Sequence, residues 1–203
     1  MKELSATENE LLTRAIEGPG HAGEPPLPDD VAQLLRDGDA APRLAAHLRL
    51  VRAAAVRLVD WLAAEFGSVP ADREAVLFGA ATHDIGKTVF PGELSGPGKE
   101  HEPAGRRLLL EHGYPERLAR FAGTHGTWTA PEITLDDLLV SLADKAWKGA
   151  RVDELERLTI TAVATLAGRE EWEVMLSLDD VLTSIGDDAD DRLRFQGAFP
   201  TTH

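Results

Sequence analysis

The chain has 203 residues, 21 Lys and Arg against 35 Asp and Glu, a formal charge of −14, and no cysteine. That length suits a single domain over residues 1–203 with a sizeable core. Without cysteine there are no disulfides and no thiolate metal sites, and the acidic surface repels a long nucleic-acid backbone. Small anions remain open as ligands, since a local cluster of metal ions and a lysine outweighs a distant negative surface.

The first residues, MKELSATENELLTRAIEG, are charged and hold no apolar signal core, and no apolar run of membrane-spanning length follows. The expectation is a soluble, cytoplasmic protein without a membrane partner; its oligomeric state is left open. Apolar spacing is helical almost everywhere and no alternating strand pattern is flanked by turn residues, so the expected fold class is all-α. Helices are expected over 5–17, 29–37, 42–66, 72–84, 101–112, 115–125, 135–149, 152–167 and 170–185. Pro42 at a start, Gly67 after an end, and Gly113 before Pro115 are the punctuation this reading needs.

Two stretches read as loops: GPGHAGEPPLP at 18–28 and IGKTVFPGELSGPGKE at 85–100. The second leaves directly from His83 and Asp84, and a long loop there is usually functional. The tail GDDADDRLRFQGAFPTTH has no periodicity, so its charges are expected to be solvated.

Several polar residues interrupt apolar stripes. His83 and Asp84 lie one heptad after Val76 and Leu77 and so face the core. His47 sits on the stripe Leu44, Leu48, Val51, Ala55, Leu58 and Leu62, and His125 ends the stripe Leu118, Phe121, Ala122. His101 opens a helix continued at apolar spacing by Ala104, Gly105 and Leu108, and Asp144 lies in the strongly apolar LDDLLVSLADKAWKG. Each alone has an ordinary explanation. A lone inward histidine is commonly a hydrogen-bonded core residue, Asp144 can pair with Lys148 one turn on, and His83–Asp84 can finish a helix, although the macrodipole disfavours an aspartate there. All of these must hold at once for the ordinary explanation to stand, and a buried carboxylate demands a partner.

The order His47, His83–Asp84, His101, His125, Asp144 resembles the HD superfamily of metal-dependent phosphohydrolases in its two-metal form. HDIGK followed by HEPAG is the most specific part, and the likeness spans about residues 42–150 of an HD helical bundle with added N- and C-terminal helices. The resemblance implies that Asp84 bridges two metals, with His47, His83 and Asp144 completing one site and His101 and His125 the other. The all-N/O set suits two divalent ions such as iron, manganese, cobalt or nickel, which leave the site positive and make a water nucleophilic near neutral pH. His112 sits where a helix C-terminus favours histidine; His21 lies in a flexible loop and His203 at the end, so none is taken as a ligand. GYP at 113–115 does not indicate the HD-GYP subfamily, whose letters follow a His-His pair absent here.

Lys87, one turn beyond His83, either meets a phosphate oxygen, as a catalytic and substrate-binding residue beside Asp84, or is a solvated loop lysine. Arg106 is a second candidate anion contact. Trp128 either covers the pocket or joins the core, and Glu102 either orients an imidazole or merely suits a first helical turn. The leading expectation is hydrolysis of a small phosphorylated substrate, nucleotide-like or sugar-phosphate-like. A diiron oxygenase and a metal-containing regulatory module are the alternatives.

Overall fold

The computed structural model describes residues 6–20 and 24–201, and among these there is no strand. His21 and His203 lie outside the described residues, as does Ser5 at the start of the first expected helix. The helices are α1 (Ala6–Glu17), α2 (Asp29–Asp37), α3 (Pro42–Glu65), α4 (Arg73–Thr82), α5 (His101–Glu111), α6 (Glu116–Ala119), α7 (Phe121–Thr124), α8 (Leu135–Ala146), α9 (Asp153–Ala167), α10 (Glu171–Gly186) and α11 (Ala189–Gly197). No helix among the described residues is long and apolar enough to cross a membrane.

Helix α3 is the axis. Pro42 starts it at a position where the missing N–H costs nothing, and its whole apolar stripe is buried. The first half, through Leu44 and Leu48, packs with residues of α1 and α2; the second half, from Leu50 to Leu62, packs with α4, α8, α9 and α10. Each fully buried Leu or Val is worth roughly 1.5–3 kcal/mol. Local signals fix the neighbours. Asp72 caps α4 by accepting from Ala75 N at 3.0 Å, and α8 begins at a capping box between Thr134 and Asp137. Gly79 lets α4 lie directly on Phe121, whose ring is 2.5 Å from where a Cβ would be.

Four expectations change. Helix α4 stops at Thr82 rather than at 84, and a 3-10 turn over Ile85–Thr88 follows, so the chain bends at His83–Asp84. The expected loop at 85–100 holds this turn and a second over Pro91–Leu94. The single helix expected at 115–125 divides at Arg120, where Gly123 N bonds back only three residues, to Arg120 O at 2.9 Å. The tail is not merely solvated: α11 buries Arg192, which donates to Trp147 O at 2.6 Å and also to Ile185 O, while Phe199 enters the core. Several other ends differ by a residue or so, and α8 ends three residues early, at Ala146.

Candidate metal centre

Each candidate ligand sits where a helix starts, ends or carries an inward stripe. His47 comes from the first half of α3, His83 caps α4, Asp84 follows it, His101 is the first residue of α5, His125 caps α7, and Asp144 lies in the last turn of α8. All six are at most 9% exposed. The bend after Thr82 turns Asp84 into the middle of the group. Gly86 permits this, because a Cβ there would lie 2.0 Å from His101 O and 2.6 Å from Gly105 N, so only glycine lets the turn abut α5.

The two oxygens of Asp84 face different histidines. Oδ2 lies 3.2 Å from His47 Nε2 and 3.6 Å from His83 Nε2, and Asp144 Oδ1 lies 3.5 Å from each of those nitrogens. Oδ1 lies 3.1 Å from His101 Nε2 and 3.5 Å from His125 Nε2. Two groups able to hold a metal ion therefore share Asp84: His47, His83 and Asp84, and Asp84, His101 and His125.

Three imidazoles are oriented by their other nitrogen. His83 Nδ1 lies 3.0 Å from Ala80 O and His125 Nδ1 lies 3.2 Å from Phe121 O. A carbonyl only accepts, so these Nδ1 atoms carry the proton and the Nε2 lone pairs face the centre. His101 Nδ1 is held likewise by Glu93 Oε2.

These residues fit a divalent cation on their own chemistry. Asp84 Oδ1 and His101 Nε2 are buried and have no hydrogen-bond partner, an expensive arrangement without a cation between such groups. Atoms held about 2.0–2.2 Å from a common ion lie roughly 3.0–3.5 Å from one another, close to the spacings given above. Burial pushes the His125 imidazole down to about 4, helped by His83, and burial also lowers His47. Burial pushes the Asp84 and Asp144 carboxyls up, but the surrounding imidazoles outweigh it and hold both well below the usual range. His101 differs: burial lowers it, yet the neighbouring Asp84 carboxylate and the bond to Glu93 leave it raised. Ionised carboxylates and neutral imidazoles are the forms that bind metal.

Two ammonium groups reach the carboxylates. Lys87 Nζ is 2.6 Å from Asp84 Oδ2, nearer the ligands than a lysine reaching outward would be. Lys145 Nζ is 2.6 Å from Asp144 Oδ2, so the partner of Asp144 is Lys145 and not Lys148. Over the group lies a cavity of about 460 Å³, its wall including Arg43, Lys87, Glu102, Lys145, Trp147 and Lys148.

Arg106 and Trp128 are placed elsewhere. Arg106 is exposed and makes two bonds to Glu116, at 2.9 and 2.8 Å, outside the cavity wall. Trp128 packs against the core, donates to Glu154 at 3.2 Å, and approaches the site only through Lys145, 5.7 Å from its ring centre. His112 is exposed, with Nδ1 2.9 Å from Leu108 O. Sequence reading missed Glu93, Lys145 and Trp147. Trp147, whose ring centre is 5.3 Å from that of His47, was signalled by standing three residues after Asp144 on the same helical face; Glu93, in an irregular turn, had no such signal.

No curated protein and no solved structure matches the chain. The HD domain, in contrast, matches it over residues 44–146, a span that includes all six side chains gathered around Asp84. The protein is a member of the HD domain family.

Proposed function

We propose that this protein is a metal-dependent phosphohydrolase that cleaves a small phosphate ester, nucleotide-like or sugar-phosphate-like. One observation carries the reading: in a chain of net charge −14 the cavity above the buried His/Asp group is walled by Arg43, Lys87, Lys145 and Lys148. Such a site attracts a compact anion.

His47, His83 and Asp144 would hold one divalent ion, His101 and His125 a second, and Asp84 would serve both, with iron, manganese, cobalt or nickel suited to the N/O donors. When bound, such ions polarise a phosphoryl oxygen and make water nucleophilic near neutral pH. The chain's own residues do the rest. Glu93 fixes the ring of His101, and the Ala80 and Phe121 carbonyls fix those of His83 and His125. Lys87 reaches a phosphate oxygen from its place beside Asp84, and Lys145 offsets the charge of Asp144. Leu94, Trp147 and Leu193 give the cavity apolar wall that limits water around the ester. The test is metal analysis joined to a phosphate-ester screen in ¹⁸O-labelled water, under air and under nitrogen. Solvent oxygen in the released phosphate without air supports hydrolysis; strict oxygen dependence overturns it.

A further inference from the structure

Two cations of the cavity wall stand apart from the ligand group. Lys87 and Lys145 are each bonded to a ligand carboxylate, but Arg43 and Lys148 are not. Arg43, one turn before His47 on α3, donates from Nε to Phe199 O at 2.8 Å and from Nη2 to Gly197 O at 3.1 Å. Both acceptors are neutral carbonyls, and among the described residues no carboxylate forms an ion pair with this guanidinium. Lys148, one turn after Asp144, lies 6.0 Å from the centre of the Trp147 ring, and among the described residues no carboxylate pairs with it. Acids outnumber bases 35 to 21 in this chain, yet among the described residues none forms an ion pair with these two. Glu102, also in the wall, stands on the side of His101, beside Gly126.

Trp147 belongs to the same stretch of wall. It is 2% exposed, and its indole N–H meets no acceptor; buried donors are nearly always paired. Gln196 of α11 adds a neutral polar group to the wall. An apolar substrate tail would gain little from such surroundings, whereas an anion would gain charge-assisted hydrogen bonds.

The geometry points to a second anion subsite at Arg43 and Lys148, which makes the substrate a bis-anion: one phosphate at the metal centre and a further carboxylate or phosphate about one helical turn, ~5.4 Å, away. This rests on the phosphohydrolase reading for the first anion. Specificity among phosphate esters then comes from the second group, held by residues that touch no metal.

The test is calorimetric binding of three non-hydrolysable probes to the metal-loaded full-length protein. Propylphosphonate carries one anionic group, 3-phosphonopropionate adds a carboxylate, and ethane-1,2-diphosphonate adds a second phosphonate. At least one bis-anion is expected to bind about tenfold or more tightly than propylphosphonate, as a hydrogen-bonded charge allows, and the tighter of the two identifies the second group. Lys148→Ala, at an exposed position, should weaken that probe about tenfold and propylphosphonate no more than about twofold. Arg43→Gln, which keeps a donor for the Gly197 and Phe199 carbonyls, should act alike, with circular dichroism confirming the fold. Equal binding of all three probes overturns the subsite, and so does an equal loss for mono- and bis-anions in both variants. A preference for bis-anions without hydrolysis of any ester leaves the subsite standing and removes the phosphohydrolase reading. Hydrolysis without the preference does the reverse.

Discussion

Glu93 Oε2 accepts both from His101 Nδ1, at 2.5 Å, and from the His101 backbone N–H, at 3.2 Å. One carboxylate thus orients an imidazole and satisfies a free N–H at the start of α5, while its other oxygen takes Glu100 N at 3.1 Å. Glu93→Gln should lower metal affinity on the side of His101 and His125 by roughly 10- to 100-fold and spare the side of His47. Titration calorimetry with a single divalent metal would show two classes of site, only one of them shifted from the parent. An unchanged isotherm would remove Glu93 from this role.

Asp84 faces both histidine pairs, so Asp84→Ala should abolish all metal binding, whereas His101→Ala should leave about half. Elemental analysis of purified variants decides the matter. Full metal content in Asp84→Ala would refute the shared-carboxylate reading. His112→Ala, altering an exposed residue bonded only to Leu108 O, should change neither metal content nor turnover.

The contact of Lys87 with Asp84 leads to two separate expectations. With metal and substrate present the lysine should serve the phosphate, so Lys87→Ala should lower ester turnover by roughly 30- to 1,000-fold, about 2–4 kcal/mol. In the metal-free protein it should serve Asp84, and its loss should cost about 1–3 kcal/mol of stability. Thermal melts with and without metal separate the two, the deficit being expected only without metal. Intact turnover would leave Lys87 a structural partner alone.

Gly86→Ala should be among the most damaging changes of one methyl group. The new Cβ has backbone on two sides, so the turn must move away from α5 and take Asp84 from His101. A loss of about 1–3 kcal/mol is expected, with metal content falling even where the variant is folded. Wild-type stability and metal content in this variant would show that the turn can shift at no cost.

Acid should weaken one helix junction in a defined way. Bonds from Arg151, at 2.9 and 2.8 Å, hold the Glu156 carboxyl below its ordinary value, against the effect of partial burial. The folded state therefore favours the ionised form. This stabilisation is complete above the unfolded pKa, about 4.3, and is lost as pH falls through the lower folded value. Glu156→Gln should be destabilised by about 0.5–1 kcal/mol at pH 7, with melting temperatures converging on the parent as pH drops below about 4. A gap constant with pH would assign the effect to packing.

The all-α fold and the inward placing of His47, His83, Asp84 and Asp144 were legible because each polar residue interrupts an apolar helical stripe, and period tells which way a side chain faces. Period fails elsewhere. Glu93 lies in a 3-10 turn, where no spacing shows that it reaches His101. Arg192 stands among DDADDRLR, where the one buried charge resembles its solvated neighbours. Nearness in sequence to His125 suggests Trp128, but the turns that follow His125 carry it to another groove. Trp147 occupies the wall instead. Arg106 fails for a related reason: a helix that begins at the site leads away from it, and Glu116 meets its guanidinium there.

Arg43 grips carbonyls 154 and 156 positions further along the chain. During synthesis all six candidate ligands, from His47 to Asp144, emerge before α11 does, so a nascent chain holds these groups while the wall bearing Gln196 is still unmade. Assembly of the candidate ligand group is thereby separated, in time and along the chain, from completion of the cavity wall. Exchange of the α11 segment between relatives would change what braces Arg43 while leaving the six candidate ligands untouched.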